Sequence, residues 1–251
     1  MNSKIIVANW KMNPQTEKEA EVIFYGISSA IKSLKGKMVI ICPPSPFLFI
    51  SKKIKSKKLI LGAQNVSKFA EGAHTGEVSP KMLFDLGVKF AIVGHSECRF
   101  KGETDKDINE KINNLLKHKL SVILCVGEKD RDHDGRYLSL VEKQIKNCFY
   151  GIKKSQLKNI VIAYEPVWAI GKEATREATV EEFVEMRIFI RKVLSDLYDS
   201  KTICNVPIIY GGSVNPNNSR DFLERGEADG LLVGRDSLNP KKFAEIINSV
   251  K

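Results

Sequence analysis

The sequence predicts an α/β fold in which eight parallel strands, each followed by a helix, close into a (β/α)8 barrel as one domain over residues 1–251. Three observations predict it. Eight short apolar runs recur along the chain: Ile5–Ala8, Met38–Cys42, Leu59–Ala63, Phe90–Val93, Val122–Val126, Ile160–Ala163, Pro207–Tyr210 and Gly230–Val233. Most are continuous Val, Ile and Leu stretches rather than strict alternations, the pattern of strands buried on both faces of a parallel sheet. Longer amphipathic segments separate them, no Ser- or Gly-rich linker divides the chain, and eight strand–helix units in 251 residues is the usual size of such a barrel. A doubly wound open sheet is the alternative that pattern alone leaves standing.

The connecting segments carry the helical period. Thr16 to Leu34 spaces Ala20, Ile23, Phe24, Ile27 and Ile31 along one face, and Asp105 to Leu116 does the same with Ile108, Ile112 and Leu115. Glu181 to Leu197 offers Val184, Ile188, Val193 and Leu197. The hydrophobic fraction, 43%, is that of an ordinary globular protein, and no apolar run approaches the roughly 20 residues that span a bilayer. The first residues lack the apolar core and small-residue cleavage site of a secretory leader, so a cytoplasmic protein without membrane contact is expected. Cys42, Cys98, Cys125, Cys148 and Cys204 are odd in number, widely spaced and read as reduced, mostly buried thiols.

The formal net charge of +10 raises the question of nucleic acid. The lysine clusters Lys52-Lys53, Lys57-Lys58 and Lys153-Lys154 are not interleaved with aromatics, so they read as solvated surface and no nucleic-acid partner is expected. A positive field also draws in a small phosphorylated substrate. Asp130-Arg131-Asp132-His133-Asp134 looks metal-like but has no matching cluster elsewhere and reads as a polar loop. No metal and no cofactor motif is found.

Reactive residues fall just past the apolar runs: Asn9 and Lys11 after the first, His95 and Glu97 after the fourth, Glu128 after the fifth and Glu165 after the sixth. Gly211-Gly212-Ser213 follows the seventh and Gly234 the eighth. In a barrel all converge on the C-terminal face, where such folds build their sites. Glu165 is a candidate base, and Val167, Trp168, Ala169 and Ile170 after it make an apolar segment suited to excluding water. His95 stands where a helix begins, and a helix N-terminus disfavours imidazolium, which leaves a neutral ring to donate a proton. Lys11 supplies fixed positive charge, and an extended chain would put it on the same face as Asn9. The glycines of the last two loops offer backbone N–H groups to a phosphate. This set suits proton abstraction beside a carbonyl in a small phosphorylated sugar.

Four motifs carry a resemblance that runs end to end. They are Ala8-Asn9-Trp10-Lys11-Met12-Asn13, Gly94-His95-Ser96-Glu97, Ala163-Tyr164-Glu165-Pro166-Val167-Trp168-Ala169-Ile170-Gly171 and Tyr210-Gly211-Gly212-Ser213-Val214, with weaker echoes at Thr75-Gly76-Glu77, Cys125-Val126-Gly127-Glu128 and Leu232-Val233-Gly234. In this order they resemble the triosephosphate isomerase family. The resemblance implies a TIM barrel without cofactor that interconverts dihydroxyacetone phosphate and D-glyceraldehyde 3-phosphate in glycolysis and gluconeogenesis. By it, Glu165 is the base, His95 and Lys11 stabilise the enediolate with help from Asn9, and Glu97 tunes Lys11. Substrate is bound by Asn9, Lys11, Gly171, Ser213, Gly234 and Arg235. A homodimer is implied, with the loop around Thr75 reaching the partner. The nearest alternative is isomerisation of a larger ketose phosphate, such as a tetrulose phosphate, on the same fold.

Two departures stand out. The family hinge after Ile-Gly is replaced by Lys172-Glu173-Ala174-Thr175-Arg176-Glu177, which is two residues longer if Ala178-Thr179 keeps the family register. Arg235 stands where the family has a second glycine, and its side chain is expected to face solvent, beside Asp236.

Overall fold

The computed structural model describes residues 3–31, 37–53, 59–132, 134–171, 174 and 176–249. The strands are β1 (Lys4–Asn9), β2 (Lys37–Cys42), β3 (Leu59–Ala63), β4 (Phe90–Val93), β5 (Ser121–Val126), β6 (Ile160–Tyr164), β7 (Ile208–Tyr210) and β8 (Gly230–Val233). Each pairs in parallel with its sequence neighbour, and β8 pairs with β1, so the sheet closes as a barrel. Closure excludes the doubly wound alternative. Pro207 is left out of β7 because it has no N–H for the ladder.

The helices are α1 (Glu17–Ala30), α2 (Pro80–Asp85), α3 (Ser96–Phe100), α4 (Asp105–Lys117), α5 (Arg136–Cys148), α6 (Val180–Leu197), α7 (Ser200–Ile203), α8 (Ser219–Glu224) and α9 (Pro240–Asn248). After β2 the described chain forms 3-10 turns over Ser45–Lys53 instead of an α-helix. Pro43, Pro44 and Pro46 each remove a donor and restrict the residue before them, which disfavours an α-helical start. The tail of the first helical segment, through Leu34, and Lys57-Lys58 lie outside the described residues, as does His133.

Two apolar bodies result. Between sheet and helices lie residues such as Ile6, Phe24, Val93, Ile112 and Phe183, and inside the barrel lie Ile5, Val7, Ile40, Ile92, Ile123, Val161, Ile209 and Leu232. Inward residues alternate along each strand, so the steps Ile5-Val7, Ile123-Cys125 and Val161-Ala163 lead on to Asn9, Gly127 and Glu165 at the barrel mouth. In α6 the buried stripe is Phe183, Met186, Ile190, Val193 and Leu194, whereas Ile188 is 61% exposed. The stripe read from sequence is therefore rotated. Phe183 decides it, because its ring packs edge-on against Tyr210 and Phe222 and buries the larger area. Cys42, Cys125 and Cys148 are buried, but Cys204 is exposed, at the end of α7 rather than in the core.

α4, which follows the His95-bearing turn, is fastened by a reciprocal cap. Asp107 N–H donates to Thr104 Oγ1 at 3.1 Å and Thr104 N–H to Asp107 Oδ2 at 3.0 Å. Lys68 adds an ion pair to Asp107 at 2.5 Å. The hydrogen bonds from Lys68 and Thr104 hold this carboxyl well below the usual carboxylate range. A carboxyl depressed in the folded state stabilises it fully above its unfolded pKa of about 3.9 and loses that contribution as pH falls through the folded value. Asp107→Asn is therefore expected to lower the thermal midpoint at pH 7, and the gap to wild type to narrow as the pH is taken below about 4. Paired melts from pH 7 to 2 check this; a gap independent of pH would place the cap's worth elsewhere.

Candidate active site

The site stands at the C-terminal ends of the strands. Asn9 ends β1 almost fully buried, and its Oδ1 accepts from the Lys11 N–H at 3.1 Å. Lys11 is not extended: its φ is 54°, a left-handed turn rare outside glycine. Side-chain alternation therefore does not align it with Asn9. A turn does, fixed by Asn9 and by Gln64, whose Nε2 donates to the carbonyls of Lys11 (2.8 Å) and Cys42 (2.9 Å). The Lys11 Nζ reaches Glu97 Oε1 at 2.7 Å. Burial alone would raise the Glu97 carboxyl, but the hydrogen bond and charge of Lys11 outweigh it and hold Glu97 below its ordinary value.

His95 caps α3. Its Nδ1 accepts from the Glu97 N–H at 3.2 Å, so the acceptor nitrogen carries no proton, and Nε2 faces Glu165 Oε1 at 3.1 Å. The turn that carries it is held at both ends of Gly94, whose φ is 70°. Glu103 Oε2 accepts from the Gly94 N–H at 3.1 Å, and Arg99 Nε donates to the Gly94 carbonyl at 2.8 Å. Glu103 is paired in turn with Lys111, and Arg99 with Asp105. Sequence reading missed these supports, because nothing in the local pattern separates them from solvated surface charge.

Glu165 is buried, with Oε2 accepting from the Ser96 N–H at 3.0 Å. Beneath it, burial and then the neighbouring carboxylate push the Cys125 thiol well up. A Cβ on Gly127 would stand 1.8 Å from the Glu165 carbonyl oxygen, so the glycine is what lets the chain after β5 approach the end of β6 so closely. The sequence reading carried Gly127 only within the Cys125-Val126-Gly127-Glu128 echo and gave it no role.

Glu128, fully buried, serves a different end. Its Oε1 accepts from Tyr164 Oη (2.7 Å) and Trp168 Nε1 (2.8 Å), with Arg131 Nε at 3.4 Å. Burial raises its carboxyl, and the Trp168 and Tyr164 donors offset only part of that. It anchors the apolar segment after Glu165. Ser213 Oγ donates to the Ala169 carbonyl at 2.6 Å on the other side. Further on, Arg176 lies 4.3 Å over the Trp168 ring and pairs with both Glu182 oxygens, while Glu177 accepts from Asn215 and Asn218. α6 begins at Val180 with Thr179 as its cap, which puts Ala178-Thr179 at the helix start. Lys172, Glu173 and Thr175 lie outside the described residues.

One cleft is lined by Asn9, Lys11, Glu97, Gly171, Ser213, Gly234 and Arg235, and His95 and Glu165 lie buried beside it. The φ of Arg235 is not in the left-handed region, so the backbone tolerates the arginine. Its side chain is exposed and not paired with Asp236, which binds Lys242 at 3.3 Å instead. Among the described residues, no group of three or more His, Cys, Asp or Glu could hold a metal ion, and no helix is long and apolar enough to cross a membrane.

Comparison with known proteins agrees with this geometry. A family model described as triosephosphate isomerase matches residues 4–250. The triosephosphate isomerase of Borrelia garinii subsp. bavariensis is 43% identical over the whole of both chains. That of Dictyoglomus turgidum is 41% identical over 99% of this chain and 100% of its own. That of Borreliella burgdorferi is 42% identical over the whole of both. A closed parallel barrel, a glutamate–histidine pair at its mouth and full-length matches at this identity place the chain in the triosephosphate isomerase family.

Proposed function

We propose that this single-domain chain interconverts dihydroxyacetone phosphate and D-glyceraldehyde 3-phosphate through an enediolate, with Glu165 as base and His95 as electrophile. The observation that carries the reading is the buried Glu165 carboxylate beside His95 Nε2 at 3.1 Å, next to a cleft that holds Lys11 and the glycine turns. Glu165 takes a proton from C1, and the electron pair moves into the C1–C2 bond as the carbonyl π pair settles on O2. His95 Nε2–H and the Lys11 ammonium meet that oxygen, where fixed donors lower the barrier most. His95 carries the O1 proton to O2, and protonated Glu165 returns its proton to C2, leaving an aldehyde at C1. Because Glu97 N–H occupies Nδ1, the ring exchanges its proton through Nε2 alone. Backbone N–H groups of Gly171, Ser213, Gly234 and Arg235 would receive the phosphate, with Asn9 holding Lys11 in place.

The reading includes a cytoplasmic homodimer built through the Gln64–Glu77 loop. Thr75-Gly76-Glu77 is exposed there, and Met12 beside Lys11 is 83% exposed. In the same loop His74 stacks on Phe69 with ring centres 3.7 Å apart.

Glu165→Gln keeps the shape but cannot accept a proton, so turnover in a coupled assay is expected to fall by roughly three orders of magnitude or more while the thermal midpoint is retained. Near wild-type turnover would remove Glu165 from the mechanism. Tetrulose phosphates offered alongside dihydroxyacetone phosphate separate the larger-ketose alternative. Gly127→Ala should cost at least about tenfold in kcat, since the new methyl displaces the Glu165 backbone and small misplacements of a reacting group are costly; unchanged kcat would show that the contact relaxes freely. For the assembly, a mass of two chains at micromolar concentration is expected, and a fully active monomer would refute it.

A further inference from the structure

The charges around the cleft mouth do not balance in the way a dianionic substrate requires. Among the described residues its lining carries two cations, Lys11 and Arg235, against three carboxylates, Glu97, Glu177 and Asp236. Lys11 is committed to Glu97 at 2.7 Å. Asp236 is offset by Lys242 from outside the lining. Among the described residues Glu177 is partnered only by the neutral amides of Asn215 and Asn218 at 3.3 Å, which leave its negative charge uncompensated. The Arg235 guanidinium is exposed, and among the described residues it makes no hydrogen bond or ion pair. Among the described lining residues it is the one cation not already spent on a carboxylate.

We propose that Arg235 is a capture residue: its guanidinium offsets the Glu177 carboxylate and draws the phosphate dianion into the mouth before the backbone donors engage it. The inference rests on the reading of this cleft as a triose phosphate site and adds a role for a side chain where the family has a glycine. The position of the charge carries it. The Arg235 N–H belongs to the turn that receives the phosphate, and Gly234 beside it packs close to the Lys11 stem, a Cβ there standing 3.6 Å from Lys11 Cε. The side chain stands outside that turn, in water. A charge so placed acts over a Debye length, about 30 Å at 0.01 M salt and about 3 Å at 1 M, whereas a buried contact is screened far less. Capture is therefore separable from contact by ionic strength.

The test compares wild type, Arg235→Gln and Arg235→Lys, with kcat/KM for D-glyceraldehyde 3-phosphate measured from about 0.01 to 1 M salt. At low salt Arg235→Gln is expected to lose about fivefold in kcat/KM, the loss closing to under twofold at high salt, because one charge supplies a small part of the ten- to thousandfold that whole fields give. Arg235→Lys, which keeps the charge but not the planar fork, is expected to restore the wild-type value. No loss at low salt overturns the proposal. A loss that persists at high salt, or that lysine does not restore, overturns it in favour of a direct guanidinium–phosphate contact. Absence of turnover in wild type itself would count against the triose phosphate reading instead, so the two failures are distinguishable.

Discussion

Between Ile5 and Gly230 the first strand meets the last, and a side chain on Gly230 would put its Cβ 1.9 Å from the Ile5 carbonyl oxygen. That close approach lets the seam form, and the barrel with it. Asp229 ties the seam on both sides: its carbonyl accepts from the β1 Ile5 N–H at 3.0 Å, while its carboxylate accepts from the β7 Ile208 N–H at 2.8 Å and pairs with Arg191. The site depends on the same contact. Once β8 lies beside β1, the turn at Gly234 packs against the Lys11 stem, so groups more than two hundred residues apart in sequence share one cleft. No local preference could bring them together; closure does.

Two buried carboxylates at neighbouring strand ends show how partners set roles. Glu128 is held by Tyr164, Trp168 and Arg131, and stands as a structural anchor. Glu165, beside it across the β5–β6 pair, accepts from one backbone N–H and faces His95, a group that can itself carry a proton. The same side chain type thus serves fixation in one place and, in the proposed mechanism, proton transfer in the other. The burial is similar; what differs is how many donors each carboxylate must leave in order to react.

Charged side chains gather around the segment after Glu165. Arg176 joins Trp168, through its ring, to the capping glutamate of α6, and Glu177 ties the same stretch to the loop after β7. Any displacement of this segment exchanges those contacts for new ones, and the charged ones are mostly exposed, so each costs little to part. Among the described residues, the stretch at Arg176-Glu177 is thus held by several weak ties rather than one strong one.

The sequence by itself determined the periodicities and the chemistry. Continuous apolar runs marked the strands almost to the residue, because strands buried on both faces must be apolar throughout, and Asn9, Lys11, His95 and Glu165 announced themselves by lying at or just beyond strand ends. Tertiary structure alone decided the rest. The left-handed turn at Lys11 is imposed by Asn9 and Gln64, and Gln64 is fifty-three residues away. The buried face of α6 was chosen by Phe183 finding Tyr210 and Phe222, since a helix with apolar residues on two overlapping stripes cannot tell from its own sequence which one the barrel will cover. Gly127 matters only because β6 passes within van der Waals reach, and Glu103 and Arg99 only because Gly94 lies between them. Local sequence encodes which groups are available, but which of them touch is settled by the closed sheet, whose geometry is a property of all eight strands together.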